Sequence, residues 1–246
     1  MDAEFEIGLD QSRKGTPRRP LLGLTLLMVE DSRYCSEAVR LLCLRSGARL
    51  RRADSLGAAY RHLSTYRPNL VLVDVGLPDA SGLDLVRDLA GHRPNAPVIL
   101  VTSGEDQSLA RQEALIAGAD GYLEKPIRNV QAFQDAVLQH FPERKIPQDA
   151  TNVVPFRIDV DPDPLSVDED LRHARDLMIS ASPDEAETLF YCAQFLNSLA
   201  EATGADDIAR LAQAFRLGLE EGRDRAALVN GVALDLANRL GLREAI

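Results

Sequence analysis

The chain has 246 residues, 45% of them hydrophobic and 27% charged, with a formal net charge of −10. This length fits one or two domains with a full core, and no apolar run approaches the roughly 20 residues that a membrane-crossing helix needs. The charge is uneven, with 19 basic and 19 acidic side chains in residues 1–145 against 9 and 19 in residues 146–246. The C-terminal part therefore repels phosphate backbones, and nucleic acid is not expected as a partner.

The start, Met1–Glu6, is acidic and lacks the basic and apolar segments of a signal peptide, so a cytoplasmic location away from membranes is expected. Residues 1–20 are polar, carry Arg13-Lys14 and Arg18-Arg19 beside Pro17 and Pro20, and read as a disordered tail. Cys35, Cys43 and Cys192 have no metal-ligand spacing and an odd count, which suits small buried hydrophobes rather than a disulfide framework.

Residues 21–141 alternate strand and helix. A first strand ends near Val29, and a helix follows from about Arg33 to Arg45, stopped by Ser46-Gly47. Arg49–Ala53 is a strand poor in apolar residues, which belongs at a sheet edge where charge is tolerated. Ser55 opens a second helix that ends before Pro68. Leu70–Val73 is a strand, Gly82 opens a helix to about His92, and Val98–Val101 is the next strand. A helix over about Gln107 to Ala117, a short strand at Gly121–Leu123 and a helix over about Val130 to His140 complete the series. Strands alternating with helices of this length predict a doubly wound parallel sheet with right-handed crossovers.

Residues 142–165 hold five prolines and several aspartates and read as a semi-extended linker. Residues 166–246 are predicted to be all-α. Ser166-Val167-Asp168-Glu169 and Ser182-Pro183-Asp184-Glu185 both resemble capping boxes. Apolar stripes at Leu171–Met178, Leu189–Leu199 and Ile208–Leu219, with a fourth helix from about Arg225 to Leu240, predict a small acidic bundle.

Five polar residues sit at or just past the ends of apolar strands: Glu30, Asp31, Asp74, Thr102 and Lys125. In an open parallel sheet, ligands bind at the carboxyl ends of the strands. Each residue alone has an ordinary reading, as a helix cap, a strand-end cap or a loop lysine. Jointly they place three acids, a hydroxyl and an ammonium on one rim. Clustered acids are costly without a cation, so the set describes a divalent-metal site beside a reactive carboxylate.

These residues carry a resemblance. Val29-Glu30-Asp31-Ser32, Leu72–Pro78 around Asp74, Ser81-Gly82-Leu83, Val101–Gly104, Ala117–Leu123 and Glu124-Lys125-Pro126 together resemble a response-regulator receiver domain of two-component signalling, over about residues 22–141. The resemblance implies the flavodoxin-like five-stranded fold and Asp74 as phosphoacceptor. It implies Mg²⁺ held by Asp31, Asp74 and the Gly76 carbonyl, with Glu30 in the second shell or acting through water. Lys125 is implied to neutralise the acyl phosphate, Thr102 to bond a phosphoryl oxygen, and Tyr122 to act as the aromatic switch. The Lys125–Pro126 bond is implied to be cis.

A sensor histidine kinase or phosphotransfer protein is the partner this resemblance implies. The acidic helices are then an output that binds another protein or a second copy of the chain. Two other readings of the C-terminal part stand beside it. One is a transcription factor with a divergent DNA-binding domain, for which the last helix offers only Arg225 and Arg239. The other is an output enzyme, for which no nucleotide loop, metal-ligand cluster or nucleophile–base pair is visible. His173 reads as a surface histidine.

Overall fold

The structure is a computed structural model and describes residues 15–103, 107–143, 159–182 and 185–242. Five parallel strands form one sheet: β1 (Thr25–Val29), β2 (Arg49–Ala53), β3 (Leu70–Asp74), β4 (Val98–Ser103) and β5 (Gly121–Glu124). Their order is β2-β1-β3-β4-β5, which puts β3 at the centre and the arginine-rich β2 at an edge. Five helices alternate with them: α1 (Arg33–Ser46), α2 (Leu56–Thr65), α3 (Gly82–Ala90), α4 (Gln107–Ala117) and α5 (Val130–Leu138). The doubly wound architecture expected from the sequence is present.

Alternation along the strands divides the core into two layers. Leu26, Met28, Leu70, Leu72 and Leu100 pack with Val39 and Leu42 of α1 and Phe133 and Val137 of α5. Leu27, Val29, Val71, Val73, Ile99 and Val101 pack on the other face, with Ala59 of α2, Leu85 and Val86 of α3 and Ala114 of α4. Covering both faces removes the need for polar alternation, which is why the strands are unbroken apolar runs. Each fully buried Val or Leu contributes about 1.5–3 kcal/mol.

Four helices follow: α6 (Pro164–Ser180), α7 (Ala186–Thr203), α8 (Asp206–Glu220) and α9 (Arg225–Arg239). The expected stripes meet in one core that includes Leu171, Met178, Leu189, Cys192, Leu196, Leu199, Phe215 and Leu236. Tyr34 of α1 belongs to that same core. Gly204, Gly222 and Gly241, foreseen as helix stops, all have positive φ. Among the described residues, no helix is long and apolar enough to cross a membrane.

The linker and helix-start readings need correction at residues 159–166. α6 begins at Pro164, not Ser166, because Asp163 accepts a hydrogen bond from the Leu165 amide and proline suits the first helical position. Before it, Val160 is buried in the layer under α1 and α5, and its amide bonds the Arg128 carbonyl. Among the described residues the second capping box shows one arm, the Glu185 carboxylate accepting from the Ser182 amide at 3.2 Å, and α7 itself starts only at Ala186. α3 and α5 stop at Ala90 and Leu138, two residues earlier than expected. Within the tail reading, residues 1–14 lie outside the described residues, and Thr16 and Arg19 close a turn. Of the linker reading, residues 144–158 also lie outside them.

Candidate functional site

The C-terminal ends of β1, β3 and β4 and the turn after β5 bring all five rim residues together, each of them buried. Asp74 ends the central strand beside Thr102 in register. The Val75 amide bonds the Thr102 carbonyl at 3.1 Å, which holds the two strand ends together. Gly82, at the start of α3, makes this geometry possible. A Cβ there would stand 1.9 Å from the Asp74 carbonyl oxygen.

Lys125 reaches into the acids. Its Nζ lies 2.9 Å from Glu30 Oε2 and 3.0 Å from Asp74 Oδ1. The Lys125–Pro126 bond is cis. Apart from Lys125, neither of those two oxygens has a hydrogen-bond partner among the described residues, and neither does Thr102 Oγ1. The other Glu30 oxygen accepts from the Ser32 amide at 3.2 Å. Tyr122 is half-buried, with its hydroxyl 3.4 Å from the Ser103 carbonyl.

Oxygens of Glu30, Asp31 and Asp74 lie within 4.8 Å of one another. Three buried carboxylates at this spacing repel, and one ammonium does not balance them. A hard oxygen donor set with excess negative charge fits a hard dication such as Mg²⁺. Burial raises the Asp74 carboxyl to about 7, Lys125 opposes the rise and Glu30 adds to it. Burial, then Glu30 and Asp74, also push Asp31 well above the usual carboxylate range. Burial alone would lower the Lys125 ammonium, but Asp74 and Glu30 hold it well above its ordinary value.

The C-terminal helices supply residues that sequence reasoning missed. The Tyr191 hydroxyl of α7 donates to Asp31 Oδ2. Asp170 of α6 caps the first turn of α1: its carboxylate accepts from Ser32 Oγ at 2.7 Å, the Arg33 amide at 2.8 Å and the Tyr34 amide at 3.1 Å. Arg128, after β5, donates to the Ala202 carbonyl of α7 and to the Tyr34 hydroxyl, the latter at 2.9 Å. A signal existed for Asp170, which stands beside Leu171 on a face that must be buried. None existed for its partner in α1. His173 is exposed and lies edge-on to Phe195 with ring centroids 6.0 Å apart.

Comparison with known proteins agrees with this geometry. Residues 26–137 match the family described as response regulator receiver domain. The chain is 29% identical over 150 residues to the virulence transcriptional regulatory protein PhoP of Salmonella typhimurium, covering 60% of this chain and 66% of that protein. It is 27% identical over 150 residues to the transcriptional regulatory protein PhoP of Escherichia coli, with the same coverage. The chain thus spans just under two thirds of the length of these relatives. Among solved structures, a response regulator from Chloroflexus aurantiacus is 30% identical, covering 47% of this chain and 95% of that one, with a TM-score of 0.44.

Proposed function

Since residues 26–137 belong to the response regulator receiver domain family, we propose that Asp74 accepts a phosphoryl group from a sensor histidine kinase or a phosphotransfer protein. An Asp74 oxygen attacks phosphorus as the bond from phosphorus to the donor breaks, and the donor leaves with that electron pair. The observation that carries this reading is the position of Asp74, buried at the end of the central strand with Lys125 Nζ 3.0 Å away.

Lys125 neutralises charge on the acyl phosphate. Thr102, whose hydroxyl has no partner among the described residues, donates to a phosphoryl oxygen. Asp31, Asp74 and the Gly76 carbonyl would hold Mg²⁺, with Glu30 in the second shell or acting through water. When bound, the ion offsets the acid cluster and the phosphoryl oxygens. Tyr122 is proposed to report occupancy by a change of rotamer. Residues 21–141 form the receiver unit on this reading.

The acidic helices α6–α9 are proposed as a protein-interaction output. The PhoP relatives are named as transcriptional regulators, which keeps a DNA-binding output as the alternative. Against it, α9 has two basic side chains, and Arg239 is ion-paired with Asp207. Labelling of the full chain by a small phosphodonor such as acetyl phosphate, with Asp74→Asn as comparison, tests the acceptor assignment.

A further inference from the structure

Helix α7 has two working faces. Leu189, Cys192, Leu196 and Leu199 face the bundle core. Tyr191, Gln194 and Ala202 fall on another side at helical spacing, and each meets the α/β part. Tyr191 donates to Asp31, and Ala202 accepts from Arg128. A Cβ on Gly76 would stand 3.0 Å from Gln194 Nε2 and 3.8 Å from Asp74 Oδ2. The Gln194 amide and the Asp74 carboxylate thus both border the space that the missing Gly76 side chain leaves. Asp170 of α6 pins the same bundle to the start of α1 through three hydrogen bonds. Burial also raises Glu201, further along α7, while Asn197 and the charge of Lys125 lower it, so that carboxylate feels the site.

We propose that α7 is an intramolecular competitor for the phosphoacceptor site. Tyr191 takes a carboxylate oxygen of Asp31 that Mg²⁺ needs, and Gln194 takes the approach over Gly76 that a donor's phosphoryl group needs. A phosphodonor protein must therefore displace α6–α9 from this rim, and loading Asp74 favours the displaced bundle. The proposal rests on the reading of Asp74 as acceptor. It requires no new contact elsewhere, because a ligand shifts an equilibrium by its differential affinity for the two states.

The test uses the full chain, with Mg²⁺ binding followed by calorimetry, beryllofluoride occupancy by fluorine NMR and hydrogen exchange across Ala186–Thr203. Removing the competing hydrogen bond in Tyr191→Phe is expected to tighten Mg²⁺ binding about ten- to a hundredfold, the scale of one hydrogen bond to a charged group. Asp170→Ala, which loosens the bundle without touching the acids, is expected to act in the same direction. Beryllofluoride with Mg²⁺ is expected to raise exchange in α7 of the wild type. An occupied site with unchanged α7 protection, and Mg²⁺ affinity equal in wild type and both variants, overturns the competition while leaving the acceptor reading intact. Failure of wild type and variants alike to take beryllofluoride overturns the acceptor reading, and the competition with it.

Discussion

Tyr191 of α7 donates a hydrogen bond to Asp31 at the end of β1, so a residue of the C-terminal bundle touches a carboxylate of the receiver rim. The contact spans 160 positions of sequence and ties the fate of the acid cluster to the placement of the helices.

Asp31→Asn should raise the melting temperature of the metal-free protein and abolish stabilisation by Mg²⁺. Burial, Glu30 and Asp74 raise the Asp31 carboxyl in the folded state. A raised acid binds its proton more tightly when folded, so stability is lost as pH climbs from its unfolded value, about 4, through the raised folded value. Asparagine removes that loss. Its advantage should be near zero at low pH and should grow as pH rises through the raised value of the folded-state carboxyl. Thermal denaturation in a chelator and in Mg²⁺, across pH, measures both effects.

Asp170→Ala should weaken the seam between bundle and α/β part by about 2–4 kcal/mol, because three donors at the start of α1, two of them in buried bonds, lose their acceptor. Calorimetric unfolding should then separate into two transitions, and the wild type should unfold more cooperatively.

Two glycines at the rim should respond differently to alanine. Gly82→Ala forces a Cβ to within 1.9 Å of the Asp74 backbone carbonyl. Backbone cannot yield cheaply, so a loss of at least about 3 kcal/mol is expected. Gly76→Ala meets the tip of the Gln194 side chain at 3.0 Å. The far end of a side chain yields more readily than backbone, so the loss should be smaller than for Gly82→Ala. Chemical denaturation of both variants checks the order.

Much of this was legible from residues alone. The strands announced themselves because burial on both faces leaves uninterrupted runs such as Leu70–Val73. The rim residues followed from strand ends, and all five do meet. What the sequence hid was the second layer. Tyr191 adjoins Cys192 in an apolar stripe and reads as core, and nothing local says that its hydroxyl finds Asp31. Ser166 and Glu169 imitate a cap at the start of α6, while Asp163-Pro164 makes the stronger one. Val160 shows the same limit: a residue in a proline-rich stretch is packed into a core formed 20 or more positions earlier.

The acidic C-terminal part should not hold duplex DNA. Residues 146–246 carry 19 acids and 9 bases, and counterion release has few basic side chains through which to act. Gel-shift assays at moderate salt should give no sequence-specific nanomolar complex. Such a complex would promote the transcription-factor alternative.

Phosphoryl transfer to Asp74 is the centre of the account. Incubating the full chain with acetyl phosphate and Mg²⁺, then weighing the intact protein by mass spectrometry, tests it directly. Wild type should gain one phosphoryl group that is lost in a chelator-treated sample and in Asp74→Asn, which keeps the shape of the side chain but not its nucleophilicity. Equal labelling of wild type and Asp74→Asn would contradict the assignment.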